Sequence, residues 1–286
     1  MASKIQFNCQ MHSLNCRGKL LSLQKPVVMG ILNITPDSFY TGQMALSLSQ
    51  LLQMARQMAG DGAAIIDIGG QSSRPGSEML PAQEEAARVL PVIQYLKQQM
   101  PQMIFSIDTF YSEVAAQAVE AGASIVNDIS AGNMDSNMLS TVAMLRTPYI
   151  CMHMQGTPAT MQQQPVYDDV TLELLQFFIA KTEQCKQVGI TDIVLDPGFG
   201  FGKTVAQNYT LLKNLAAFKM LERPLLVGLS RKSMIQKVLG CDANEALNGT
   251  TVLNTLALQN GAGILRVHDV KQAAEAIGLM EMYNEQ

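Results

Sequence analysis

Eight short apolar segments each run into polar residues, at Asn33, Asp67, Asp108, Asn127-Asp128, His153, Asp196, Ser230-Arg231-Lys232 and Arg266-Val267-His268. Carboxylates and amides held at such places suit the edge of a planar nitrogen heterocycle, because Asp accepts hydrogen bonds while Asn both donates and accepts. Asp108-Thr109 and Asn127-Asp128, ending successive segments, could read a fused pyrimidinone in this way. The strongest internal motif is Asp196-Pro-Gly-Phe-Gly-Phe-Gly-Lys203. Its glycines relax backbone limits, and it matches neither the nucleotide P-loop nor the dinucleotide fingerprint. A tight turn capped by an aspartate is the plain alternative. Ser230-Arg231-Lys232 puts two cations at the start of a helix, where the dipole favours anions, so a ligand or a buried carboxylate should hold them. Arg266 and His268 alternate along one segment and share a face. Together with Arg74 they would offer cationic donors to a polyanionic group such as pyrophosphate. His153 is less decisive, with packing against Met152 and Met154 as its plain reading, and stays outside the catalytic set.

The elements that must position these residues follow from periodicity. The apolar segments are Val27–Leu32, Ala63–Ile68, Met103–Ile107, Ser124–Ile129, Tyr149–Met152, Asp192–Leu195, Pro224–Leu229 and Gly263–Val267. They are nearly continuous apolar runs, as expected of parallel strands covered on both faces. Helical stripes lie between them: Leu48, Leu51, Leu52, Ala55, Met58 and Ala59; Val114, Ala115, Ala118 and Val119 after an N-cap at Ser112; Val270, Ala273, Ala274 and Ile277 after Asp269; a further helix begins near Asp168-Asp169 and continues through Leu172, Leu175 and Phe178. Eight strand and helix units predict an α/β fold of the closed (β/α)8 TIM-barrel type, a single domain over residues 1–286 with residues 1–24 as a short N-terminal cap over the lower mouth. Strands of a barrel point the same way, so Asn33, Asp108, Asn127, Asp196, Lys232, Arg266 and His268 should share one mouth. Two irregular connections, 33–43 and 69–77, carry glycine, proline and hydroxyl residues and suit lids over it. A third runs from Met152 to about Pro165.

Composition narrows the function class. The chain has 286 residues, 20 basic and 24 acidic, for a formal charge of -4. That balance argues against a nucleic-acid partner. Five cysteines show none of the close pairing of a zinc site, which fits a reducing compartment. The polar start, with Gln6, Asn8 and Gln10, lacks the apolar core of a secretory signal, and no apolar run is long enough to span a bilayer, so the expected location is cytoplasmic, with no membrane partner. The 19 methionines are expected to act as core filler.

Eight segments together resemble the bacterial dihydropteroate synthase family from about Val27 to about Gly278: Met29-Gly-Ile-Leu-Asn-Ile-Thr-Pro-Asp-Ser-Phe39, Ile66-Asp-Ile-Gly-Gly-Gln-Ser-Ser-Arg-Pro-Gly76, Ser106-Ile-Asp-Thr109, Asn127-Asp-Ile129, Met152-His-Met-Gln-Gly156, Leu195 to Lys203, Leu226 to Ser233, and Arg266-Val-His-Asp269. The resemblance implies a transferase of folate biosynthesis that joins 6-hydroxymethyl-7,8-dihydropterin pyrophosphate to p-aminobenzoate, releasing 7,8-dihydropteroate and pyrophosphate. It implies pterin binding by Asp108, Asn127, Met152, Asp196 and Lys232. Pyrophosphate contacts fall on Asn33, Ser73, Arg74, Arg266 and His268, with Mg2+ at Asn33, and p-aminobenzoate contacts on Phe201, Arg231, Lys232 and Ser233. Asp108, Asp196, Lys232, Arg266 and His268 form the implied catalytic set. The resemblance also implies a homodimer and a sulfonamide target; Leu253, Leu256 and Leu258 near the seventh and eighth units suit either an outer helical face that pairs or the apolar inner face that any barrel helix needs. A methyltransferase acting on a reduced folate would share the carboxylate and asparagine floor but would have no use for a pyrophosphate cluster. The chain departs from the family at Gln71, where an acid is common, at Ser73, where threonine is common, and at Tyr40-Thr-Gly-Gln43, where an aspartate and paired glycines are usual.

Overall fold

The structure, a computed structural model, describes residues 12–34, 46–72, 77, 79–161 and 165–285. It opens with β1 (Ser13–Cys16) and β2 (Lys19–Ser22), then alternates strands with helices: β3 (Val27–Asn33), α1 (Leu48–Gly60), β4 (Ala63–Gly69), α2 (Ala82–Gln99), β5 (Ile104–Asp108), α3 (Ser112–Ala121), β6 (Ile125–Asp128), α4 (Met138–Leu145), β7 (Tyr149–Met152) and α5 (Val170–Gln187). There follow β8 (Ile193–Asp196), α6 (Val205–Lys213), a 3-10 turn at Leu215–Leu221, β9 (Leu226–Val227), α7 (Ser233–Leu239), α8 (Leu247–Gln259), β10 (Ile264–Val267) and α9 (Val270–Glu285). Strands β3 to β10 form one parallel sheet in the order β8-β7-β6-β5-β4-β3-β10-β9. A parallel bridge between Leu195 and Leu225, with Leu195 N donating to Pro224 O at 2.9 Å, brings its two edges together into a nearly closed barrel. The expected (β/α)8 architecture is therefore present.

The seventh barrel strand is shorter than its apolar run: only Leu226 and Val227 pair with β10. One local expectation needs correction. Tyr111, not Ser112, is the N-cap of α3, and the Ser112 N–H is bound by Asp135 Oδ2 at 2.7 Å from the next connection. Helix α5 starts after its Asp169 cap and runs through Leu172, Leu175 and Phe178 as expected, burying Val170, Leu174, Phe178 and Cys185. On α8, Leu253 and Leu258 pack inward, and only Leu256 of that trio faces out.

Residue parity divides the strands. One alternate set, which includes Val28, Ile66, Phe105, Val126, Tyr149 and Leu195, points outward and joins the helices in the main core. The opposite parity fills the barrel. Its lower ring is apolar, one residue from each strand: Met29, Ile65, Ile104, Ile125, Ile150, Val194, Leu226 and Ile264. Two residues further along each strand, on the same face, stand Ile31, Asp67, Ser106, Asn127, Met152, Asp196, Gly228 and Arg266. The interior thus turns from hydrocarbon to charge within one step of two residues.

The lower mouth is stoppered by the β1–β2 hairpin, whose Leu14 and Cys16, with Leu23 behind them, pack onto the apolar ring. Its turn, Arg17-Gly18, has φ of 56° and 90°, the left-handed pair that a tight two-residue hairpin requires. Asn15 N donates to Asp192 Oδ2 at 2.7 Å and the Arg17 guanidinium donates to Val119 O, tying the stopper to the α5–β8 connection and to the last turn of α3.

Candidate active site

The upper mouth begins with Asp67, the acid inside β4. It is fully buried, and its Oδ2 accepts from Arg266 Nε at 2.7 Å and from Asn127 Nδ2 at 3.0 Å. Its Oδ1 is also buried and has no hydrogen-bond partner among the described residues. Arg266 reaches on to Asp108, donating Nη2 to Oδ2 at 2.6 Å. One guanidinium therefore ties the ends of three strands, β4, β5 and β10. Burial works against its charge, but Asp67 and Asp108 outweigh that and hold Arg266 even more firmly protonated than usual. Burial raises the Asp108 carboxyl above its ordinary range, Arg266 opposes the shift, and Asp67, Asp128 and Asp196 add to it.

Register explains the crowding. Asp108 pairs across the ladder with Gly69 on one side and Asn127 on the other. A side chain at Gly69 would meet Asn33 Oδ1 at 3.5 Å and Asp108 Oδ2 at 3.7 Å, so the glycine opens space that both oxygens border. An apolar wall of Phe110, Ile129 and Met152, backed by Phe201, stands beside these polar groups. The cleft opens outward past Gln71, Thr109, Phe110, Ile129 and Pro158.

Across the mouth, Asp196 ends β8 and turns back to accept from Gly198 N at 2.8 Å. Burial raises its carboxyl, with Lys232 the main opposing charge. Lys232 caps α7; its Nζ donates to Phe199 O and lies 4.7 Å from the Phe201 ring centroid, a cation–π contact. Burial pulls this ammonium down to about 8, with Asp196 resisting. Gly228, the only glycine of that ring of eight, leaves room for the Lys232 and Arg266 side chains, whose atoms come within 3.8 Å and 3.9 Å of where its Cβ would be.

The two cations at the start of α7 part company. Arg231, with φ of 55°, turns away and makes a two-pronged pair with Asp269, both contacts at 2.8 Å, and donates Nη1 to the carbonyls of Ala243 and Asn244. A carboxylate meets the cost anticipated from the helix dipole, and the guanidinium ties the connection before α8 to the start of α9. His268 lies at the rim, exposed, with Nδ1 at 3.0 Å from Ser230 Oγ. Arg266 and His268 do share a face, but Arg266 sits deeper, engaged with carboxylates. Ser233 is exposed at the start of α7. Ser73, Arg74 and the Tyr40–Gln43 stretch lie outside the described residues.

Three residues escaped the sequence reading. Asp67 received no role, although an acid between Ile66 and Ile68 of a buried strand is itself a signal. Glu85 of α2 is fully buried; its Oε2 accepts from Thr109 Oγ1 at 2.9 Å and from Gln71 Nε2 at 3.1 Å, and burial pushes its carboxyl up to about 7. Gln71, one of the departures, thus sets a neutral donor beside a buried acid. Lys203, at the end of the glycine motif, is buried against His153, which is no simple packing residue: its Nδ1 lies 3.1 Å from Lys203 Nζ.

Comparison with known proteins agrees with this geometry. A family model described as "Pterin binding enzyme" matches residues 29–268. The dihydropteroate synthase of Escherichia coli strain K12 is 44% identical over 270 residues, covering 94% of this chain and 95% of its own. That of Synechocystis is 46% identical over 255 residues, covering 88% of each. Among solved structures, Yersinia pestis dihydropteroate synthase with a sulfonamide drug complex superposes with a TM-score of 0.91 at 42% identity, covering 96% of this chain and 100% of that one. Xanthomonas albilineans dihydropteroate synthase with 4-aminobenzoic acid gives 0.90 at 38% identity, covering 96% and 99%.

Proposed function

The chain belongs to the bacterial dihydropteroate synthase family, the pterin-binding transferases that form a carbon–nitrogen bond in folate synthesis, and from that premise we propose how its own residues divide the condensation of dihydropterin pyrophosphate with p-aminobenzoate. The observation that carries the assignment is the joining of Asp67, Asp108, Asn127 and Arg266 into one network within a mouth that also holds Asp196 and Lys232.

The pterin ring lies on this floor. Asn127 and Asp196 meet its polar edge, Met152 and Ile129 its flat face, and Lys232 its carbonyl side. Departure of pyrophosphate leaves a methylene cation conjugated with the electron-rich ring. Asp108 and Asp196 stand at fixed positions where that positive charge spreads, so they stabilise it without reorganising. Arg266 does two things: it holds Asp108 and Asp67 in place, and it presents a fixed cation toward the departing oxygens, with His268 at the rim beyond and Ser73 and Arg74 completing the phosphate contacts. The arylamine attacks as a neutral nucleophile from the side of Phe201, Lys232 and Ser233. No covalent enzyme intermediate is required. This also makes the Phe201 side the place where a sulfonamide would compete, as a p-aminobenzoate mimic.

Mg2+ fits the donor set. Magnesium is commonly held by one or two protein oxygens together with substrate phosphates, and Asn33 Oδ1 borders the open space above Gly69 at the mouth. When bound there, the ion neutralises phosphate charge. Among the described residues no cluster of three or more His, Cys, Asp or Glu side chains forms a separate metal cage. A homodimer is supported by the outward face of α8, where Val252 and Leu256 stand four residues apart and exposed. None of the helices searched among the described residues is long and apolar enough to cross a membrane, and the described cysteines are unpaired thiols, in keeping with a cytoplasmic location.

The test is a condensation assay with detection of pyrophosphate. Release that requires pterin pyrophosphate, p-aminobenzoate and Mg2+ together is expected. Tight pterin binding without release, or methyl transfer from a reduced folate, would overturn the assignment.

A further inference from the structure

Lys203 is 2% exposed and makes no ion pair among the described residues. Its Nζ is instead surrounded by Gly198 O at 3.0 Å, Phe201 O at 3.0 Å, His153 Nδ1 at 3.1 Å and His153 O at 3.4 Å. A buried cation without a contacting carboxylate is costly, and a hydrocarbon side chain would fill the space at less cost. What the ammonium gains is a set of acceptors on two different connections, β7–α5 and β8–α6. Burial pulls this amine down to about 7, with Asp196 resisting; donating as an ammonium, it meets a neutral imidazole whose Nδ1 accepts.

The loop that Lys203 closes is laid backbone against backbone. Gly198, Gly200 and Gly202 all have positive φ, and a Cβ at Gly198 would fall 2.0 Å from His153 O, one at Gly202 2.5 Å from Gln155 O. Between these glycines, Phe199 enters the main core and Phe201 turns to the site wall. Gly198 is fixed at both ends, its N–H by Asp196 and its carbonyl by Lys203. Tyr167 adds a second staple, donating from its hydroxyl to Gly202 O at 2.9 Å. The Phe199 carbonyl and the Phe201 ring so placed are the two contacts that aim Lys232.

Resting on the assignment above, we propose that Lys203 is a positioning residue for the arylamine half of the site: by binding the Gly198, Phe201 and His153 carbonyls and His153 Nδ1 it shapes the 197–203 loop so that Phe201 and Lys232 hold p-aminobenzoate in line with the pterin methylene. Asp196 belongs to the β7–β8 ladder through its pairing with Met152, so the pterin floor depends less on this loop than the amine side does.

The experiment compares wild type, Lys203→Met and Tyr167→Phe by pyrophosphate release, by calorimetry with pterin pyrophosphate, and by thermal melting. For Lys203→Met the KM for p-aminobenzoate, which depends on both Phe201 and Lys232, should rise about tenfold or more while pterin affinity, which draws on this loop through Lys232 alone, falls by a clearly smaller factor, since misplacing a substrate-positioning contact costs of that order. Tyr167→Phe should move the same constant in the same direction by about two- to threefold. A folded Lys203→Met protein with an unchanged KM for p-aminobenzoate, or with amine and pterin constants worsened by one common factor, would overturn the proposal. If Lys203→Met does not melt cooperatively, Tyr167→Phe decides, and an unaltered amine constant there is the overturning result. The wild-type protein run alongside tests the assigned reaction separately. Should it release no pyrophosphate, calorimetric titration of p-aminobenzoate into pterin-saturated protein reads the same difference between variants.

Discussion

The two ends of this barrel are built from the same strands and the same inward-facing parity, yet one holds only hydrocarbon and the other a concentration of charge. Ile65 and Asp67 are two residues apart on β4, Val194 and Asp196 on β8, Ile264 and Arg266 on β10. Below, the ring is sealed by Leu14, Cys16 and Leu23, and nothing there needs a partner. Above, Arg266 is held across strands by Asp67 and Asp108, while Asp196 accepts from Gly198 N and Lys232 donates to Phe199 O. The lower layer is where burial stabilises the fold, and the upper layer is where part of that stability is given up to hold carboxylates and cations close together before substrate arrives. Asp67 Oδ1 and Glu85 Oε1, buried without hydrogen-bond partners among the described residues, show the cost directly.

Making the upper layer resemble the lower should be most damaging. Asp67→Leu leaves Arg266 and Asn127 without their shared acceptor; loss of about 100-fold or more in kcat/KM is expected from the displaced electrostatics, and pyrophosphate release measures it. A variant that turns over within a few-fold of wild type would show that Asp67 is mere support. Next, Lys232→Ala should weaken pterin affinity and turnover together, by about ten- to a hundredfold, as a charged hydrogen-bond donor is lost. In the wild type, the same ammonium titrates at about 8, so pterin affinity should fall as the pH rises through that value, and the Ala variant should lose that step in calorimetry. Arg266→Leu should penalise pterin pyrophosphate more than a free pterin; equal losses would assign Arg266 to the floor alone.

The opposite change belongs to the lower layer. Leu14→Ala in the stopper should lower unfolding free energy by about 2–4 kcal/mol while leaving KM for both substrates unchanged, because a cavity opens far from the mouth. A shifted KM would mean that the two ends are coupled. The smallest effect concerns His153, which burial and then Lys203 push down to about 2 from 6.5. Between those values the unfolded chain takes up a proton that the folded chain refuses, so stability falls as the pH drops below 6.5. His153→Gln should flatten that part of the melting-temperature profile; Glu85 and Asp196, whose carboxyls burial raises, take up protons first in the folded chain and so oppose the loss, and an unchanged acid limb in the variant would place the acid sensitivity elsewhere.

How far the site was legible depended on the kind of signal. Asp196 and Lys232 stand at the junction of a strand with a connection, and a polar residue ending an apolar run is visible in one dimension. Asp67 was less so, because it lies inside the run and its meaning comes from Arg266, 199 positions away. Arg231 and Lys232 are neighbours with the same charge, and only the left-handed backbone at Arg231 sends one to Asp269 and the other to Phe199. Lys203 read as the tail of a glycine motif; its burial against His153 depends on two connections lying one upon the other.

The amino-acid order alone determined the alternation of strand and helix, the number of barrel strands and the end of each strand at which polar groups stand, because periodicity and glycine placement act over a few residues. It did not determine which inward residue meets which. That was decided by strand tilt and register, which set Asp108 beside Gly69 and Asn127 and carry Arg266 across to Asp67. Charge pairing in a closed barrel is a property of distance through space, and only the closed sheet supplies those distances.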